Sequence, residues 1–399
     1  MKRFFVVMLV VLFATSAYAA DFSTSGSYYA RGSFISNTSG TQADAVDYSY
    51  YDHELDMTTR IGVDDNTAVI VNYEIHDSNW VTSNHDGWNQ DGASNLDDNI
   101  EFKRVFSTYT FTSTGTTLDL GLMTGGAWAT SFANTANGRY RVKVKQATPI
   151  GPFFAILEKN SEQGSGTVED SEDDDGDFYY IALVTKMGAI GVKPLLGYGN
   201  QSQVVLDQGS DGLDMVTFQL GIDGSFDAWG FEFDGVYLGR DWDTGSADTD
   251  NFGFYIKGWF NAGPAKVWGI FAYGDEDEGT AFSMGDDFEP LTWWANWTAF
   301  GPTADVFSAC SLFAIGLDFA ATDALSFNGA LAYLDSNYDV AGNMWNDADA
   351  WEFDLGLTYK ISDAIKYSVQ FAYADADLAE GFADPDGSIR LYHKFAISF

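Results

Sequence analysis

Segment after segment of this chain alternates residue by residue, and the two parities carry different chemistry. In 388–399, Ile389, Leu391, Phe395, Ile397 and Phe399 share one parity. Arg390, Tyr392, Lys394, Ala396 and Ser398 share the other. Successive side chains of a strand point to opposite faces, so the segment has one apolar face and one wet face. The pattern recurs in 313–319, where Phe313, Ile315, Leu317 and Phe319 alternate with Ala314, Gly316 and Asp318. A chain made of such segments reads as all-β, and every strand needs lateral partners for its backbone.

The strands repeat as hairpins. The run from Gly316 to Phe327 aligns with the run from Gly356 to Tyr367, and the run from Gly62 to Val69 is a looser copy. Each unit is a strand, a tight polar turn, a second strand and a long variable loop. Repeats of this kind fix an architecture. On this template the chain divides into about 18 strands, from 26–36 to 388–399, with about 16 as the alternative. The segments 153–158 and 178–186 alternate least regularly. Connections at 64–67, 148–152, 224–228, 262–264, 320–324 and 361–364 are short. Those at 77–99, 158–177, 199–212, 240–251, 274–308, 335–349 and 375–387 are long. Short turns on one rim and long loops on the other describe a transmembrane antiparallel β-barrel, with periplasmic turns and extracellular loops.

Charge placement agrees. Glu54, Asp56, Arg60, Arg390 and Lys394 lie on the parity opposite the aromatics. A charge facing mid-bilayer lipid costs a few kcal/mol, so this parity is the lumen, and its many charges imply water inside. Tyr73, Tyr198, Tyr237, Tyr273, Tyr333 and Tyr373 recur at one end of the upward strands, as an outer interfacial girdle would. The densest local feature is 139–145, where Arg139, Arg141, Lys143 and Lys145 share the lumen parity and Tyr140, Val142 and Val144 the other. This basic ladder either tunes ion selectivity or pairs with acids on neighbouring strands.

Residues 1–19 read as a removable export signal, with Lys2 and Arg3 before an apolar run and Ala17-Tyr18-Ala19 at the cleavage site. Residues 20–399 form one barrel domain. Beyond the export signal no run is apolar enough for a membrane-spanning helix. Cys310 is the only cysteine, so no intrachain disulfide forms. A formal net charge of −38 argues against nucleic acid as a partner. The acidic run 173–177 lacks the spacing of an EF-hand and reads as a solvated loop rather than a metal site. The four histidines, His53, His76, His85 and His393, fall in no nucleophile-base or metal motif, and no cofactor is implied, so the chain does not read as an enzyme.

With its export signal, hairpin grammar and terminal phenylalanine, the chain resembles the Gram-negative general porin family. The resemblance implies an outer-membrane location, contact with lipids and lipopolysaccharide, and passive diffusion of small hydrophilic solutes through a homotrimer. It implies that Phe395, Ile397 and Phe399 carry the signal read by the barrel-assembly machinery. It also implies a loop folded into the lumen, for which 125–137, with Gly125, Gly126, Trp128 and Phe132, is the candidate. That segment lacks the acidic proline-and-glycine motif usual in the family's constriction loop, so an ordinary surface loop stays open. A sugar- or anion-selective channel, a plugged adhesive barrel and the sheath of an electron conduit are the other readings.

Overall fold

The computed structural model describes residues 21–36, 47–79, 100–161, 176–201, 212–243, 247–291, 308–339, 343, 345–381 and 387–399. The proposed export signal lies outside them. The strands are β1 (Asp21–Ser36), β2 (Tyr48–Gly62), β3 (Thr67–Asn79), β4 (Ile100–Phe111), β5 (Thr116–Gly125), β6 (Asn137–Thr148) and β7 (Gly151–Ser161). Next come β8 (Gly176–Leu183), β9 (Thr185–Met187), β10 (Ile190–Gln201), β11 (Leu213–Ser225), β12 (Trp229–Trp242), β13 (Thr249–Ala262) and β14 (Ala265–Gly274). The remainder are β15 (Glu276–Asp277), β16 (Thr280–Ala281), β17 (Cys310–Ala320), β18 (Leu325–Ser336), β19 (Asp349–Lys360), β20 (Ile365–Asp377) and β21 (Ser388–Ser398). Both β8 and β9 pair with β10 and act as one wall strand interrupted at Val184. The small hairpin β15–β16 is a separate two-stranded sheet, tied to β13 by the Asp250 amide donating to Asp277 at 2.7 Å and the Asn251 side-chain amide donating to the Thr280 carbonyl at 2.9 Å. The wall is therefore an antiparallel barrel of eighteen strands, not sixteen.

Closure joins the first strand to the last. Strand β1 pairs with β21 from Ser27↔Ser398 to Ser36↔Ile389. The seam extends one residue further, with the Gly26 amide donating to the Phe399 carbonyl at 2.8 Å and the Phe399 amide donating to the Gly26 carbonyl at 3.0 Å. A closed wall has no edge and leaves no ladder group for lipid to meet. The repeated hairpins also share turn geometry. Val63 and Asp64 both donate to the Thr67 carbonyl, and Ile361 and Ser362 both donate to that of Ile365.

The parities fall as the alternation predicts. Ile315, Leu331 and Leu355 face out and are half exposed or more, as lipid-facing residues are when no lipid is present. Phe111, Phe260, Phe319, Tyr359 and Phe399 lie outward at the short-turn rim, and the six predicted tyrosines lie toward the other. The inside departs from expectation. Along β14 and β17–β20 the inward residues include Ala272, Leu312, Ala314, Ala332, Leu334, Ala350, Ala372 and Ala374, all buried in one apolar cluster. Water does not fill this part of the lumen, because small apolar residues there pack against inserted chain.

Candidate functional site

Two stretches of the long-loop rim fold into the lumen. The first, 126–136, leaves β5 at Gly126, whose φ of 65° suits glycine. A Cβ there would collide with the Thr135 carbonyl, and the Thr135 amide donates back to the Gly126 carbonyl at 2.9 Å. Gly126→Ala is expected to cost about 1–3 kcal/mol, read as a lower unfolding midpoint. Gly125 is also tight, because Arg139 and Arg141 fill the space its side chain would take. Deeper in, the Trp128 indole donates to the Lys193 carbonyl at 2.9 Å and its ring stands edge-on to Phe154. The Thr130 amide and hydroxyl both donate to Asp234, at 3.2 and 2.8 Å. Gln219 donates to the same carboxylate and to the Trp128 carbonyl. Asp234 is wholly buried, and these donors give each of its carboxylate oxygens a hydrogen bond.

Phe132 is the apolar end of the loop and is fully buried. It stacks on Tyr255 at 5.9 Å and Phe282 at 5.7 Å, and meets Phe288 edge-on at 5.3 Å. Phe282 and Phe288 belong to the second inserted stretch, 282–291, which sequence reasoning placed in an ordinary outer loop. The two stretches are joined directly, by the Ala136 amide donating to Asp287 at 2.8 Å and the Asp287 amide to the Asn134 carbonyl at 2.9 Å. A signal was present. Phe282, Met284, Phe288 and Leu291 are large apolar residues set among the acids of 275–289, and all four are buried.

The inserts leave a polar cavity of about 540 Å³ beside β1 and β17–β21, and a smaller one of about 280 Å³ between both inserts and the wall at Arg141 and Gln219. Arg31 and Arg390 border the larger one on one side; Glu289, Asp318 and Asp354 supply the opposite sign. The Arg31 Nε donates to both Asp52 carboxylate oxygens, at 3.1 and 3.0 Å, and its Nη2 donates to Oδ2 as well, so its position is fixed. Lys394 is Arg31's register partner on β21, with its ammonium 3.8 Å from the Tyr29 ring centre. Arg390 lies 5.3 Å from the centre of the Tyr392 ring. The amides of Asn328 and Gln370 exchange hydrogen bonds at 3.3 Å across Gly356, where any side chain would strike both.

The ladder residues face the lumen elsewhere. Arg141 donates to Glu158 at 2.6 Å and to the Thr124 carbonyl at 2.7 Å, and Arg139 lies 3.8 Å from Glu158. Lys143 pairs with Asp119 at 2.9 Å, while Lys145 is exposed. Glu54 and Asp56 form an acidic trio with Glu74, which is ion-paired with Lys103. Arg60 is exposed, four pairs below Asp56 toward the short-turn rim. The structure thus separates the predicted residues: Arg390 borders the cavity and Lys394 adjoins its Arg31, whereas the ladder lies on the wall of β6.

No family model and no curated protein sequence matches the chain. Structural likeness is extensive. Acinetobacter baumannii OccAB3 superposes with a TM-score of 0.61 at 12% identity, over 94% of this chain and all (100%) of that one. Pseudomonas aeruginosa OccK9 (OpdG) gives 0.58 at 12%, covering 94% and 99%. Pseudomonas aeruginosa OccK2 (OpdF), in complex with glucuronate, gives 0.56 at 11%, covering 94% and 98%. These are outer-membrane porins. The fold of this chain is the fold of that class, an eighteen-stranded porin barrel.

Proposed function

We propose that the protein is an outer-membrane channel for passive diffusion of small hydrophilic solutes, and not an enzyme. The observation that carries this reading is the polar cavity inside a closed barrel with an apolar outer face. Solutes are sorted by the width the two inserts leave and by the field of the charges around it. In this reading 126–136 constricts the pore, with Trp128 and Phe132 as its anchors. Arg31, Arg390 and Glu289, which border the cavity, set the local field, and Arg139, Arg141, Lys143 and Lys145 add to it from the wall of β6. Export through residues 1–19, assembly through Phe395, Ile397 and Phe399, and a homotrimer in a membrane with lipopolysaccharide belong to the same proposal.

A selective path is the second reading. Paired arginines beside an amide pair suit a small hydroxylated anion, and one similar barrel was crystallised with glucuronate. Recording from purified protein in planar bilayers tests both. Steady channels with a defined reversal potential in a salt gradient are expected, and saturable block by a sugar acid would favour the selective path. A barrel that inserts but never conducts would sink the proposal.

A further inference from the structure

Many glycines in the barrel strands are filled from outside themselves. The place a Cβ would take is occupied at Gly316 by Trp268, at Gly253 by Phe282, at Gly199 by Phe178 and at Gly230 by Trp259. Gly258 and Gly269 break this rule. They are register partners across β13 and β14, and both are exposed on the outward parity. A Cβ would come no closer than 4.0 Å to anything at Gly258 and 3.7 Å at Gly269. Neither has a positive φ. Backbone conformation and internal packing therefore do not demand glycine at either position. Glycine weakens a strand, and where it persists it often marks the close approach of another molecule.

The paired gap opens into an apolar outward groove of about 830 Å³, which extends past Phe313, Ile315 and Leu331 to Tyr333 and Trp351. Tyr333 and Trp351 are register partners near the long-loop rim, at the level of the tyrosine girdle. Aromatic rings at that height mark the headgroup zone. The groove is thus continuous with the lipid-facing surface, starts at headgroup level and ends in the hydrocarbon region. A second copy of the chain would need roughly 1,200–2,000 Å² of matched surface, much wider than one groove.

We propose that this groove holds one fatty acyl chain of a membrane lipid whose headgroup lies at the long-loop rim. The inference rests on the reading of the outward face as membrane-embedded.

The test is native mass spectrometry of protein reconstituted into vesicles of a single phosphatidylethanolamine and re-extracted in mild detergent. The unaltered protein is expected to carry one lipid through extraction. The double variant Gly258→Leu, Gly269→Leu should lose that population roughly tenfold, equivalent to about 1.4 kcal/mol. Its single-channel conductance should not change, because both positions face away from the lumen. If conductance does change, Gly258→Ala with Gly269→Ala replaces it, and a partial loss of lipid is expected. Equal retention by the variant and the unaltered protein would overturn the proposal. So would an oligomer that the variant converts to monomer, since a second copy would then fill the groove. Lipid retention by a barrel that never conducts supports the lipid site and sinks the channel reading alone. Protein that stays dispersed without detergent sinks both.

Discussion

Phe132→Ala is expected to free both inserted segments at once, costing about 3–5 kcal/mol of folding stability and raising single-channel conductance. The physical reason is its position. One fully buried ring joins Tyr255 of the wall to Phe282 and Phe288 of the second insert. Truncation leaves a cavity bordered by three aromatic rings that cannot collapse together, because Tyr255 is fixed in β13. The loop keeps its polar anchor at Asp234, so it should remain inserted but mobile. The expected signature is a lower thermal midpoint together with a larger, noisier current. Asp234→Leu should act on the other anchor, since it leaves the Thr130 amide and the Gln219 amide without their shared acceptor. A Phe132→Ala protein with unaltered current would show that 126–136 does not narrow the path.

The wall was legible in the sequence and the contents of the lumen were not, and the same physics explains both. Period-two alternation is imposed on every strand by lipid on one side, so Ile315, Leu331 and Tyr333 could be placed without a structure. Turns such as 321–324 and 361–364 repeat because each joins two strands at the same hydrogen-bonded distance. An inserted loop obeys no period. Its position depends on contacts far away in sequence, such as Thr130 with Asp234 and Ala136 with Asp287. Residues 125–137 stand out in the sequence only through the resemblance to porins, which implies an inserted loop at that place. Phe282 to Leu291 passed unremarked because the acids around them dominated the composition. The ladder shows a similar limit. Four cations on one parity are visible in sequence, but Glu158 and Asp119, which answer three of them, come from the neighbouring strands β7 and β5.

Charge selectivity should therefore respond most to the cavity, and Glu289→Lys is the sharpest probe of it. Glu289 sits on an inserted segment rather than in the wall, so reversing its charge breaks no barrel pairing. It shares the cavity with Arg31 and Arg390, and the substitution would put a third cation beside them. A unit charge about 4 Å from a passing ion is worth about 1 kcal/mol even at the dielectric constant of water. A two-unit reversal is then worth about 2 kcal/mol before salt screening, so the anion-to-cation permeability ratio should move by at least about tenfold toward anions. Neutralising Lys143, which already faces Asp119 at 2.9 Å, should move it much less. Acidification of the unaltered channel should push selectivity the same way as Glu289→Lys. Partial loss of hydration holds the Glu289 carboxyl above the ordinary glutamate range, against the pull of Arg390. Its charge is then lost at a higher pH than that of a solvated glutamate, and the preference for anions should rise as pH falls through that raised value. Reversal potentials in a salt gradient, taken across a pH series for the unaltered protein, Glu289→Lys and Lys143→Met, measure all three effects. A larger shift from Lys143→Met than from Glu289→Lys would move the selecting charges back to the ladder on β6.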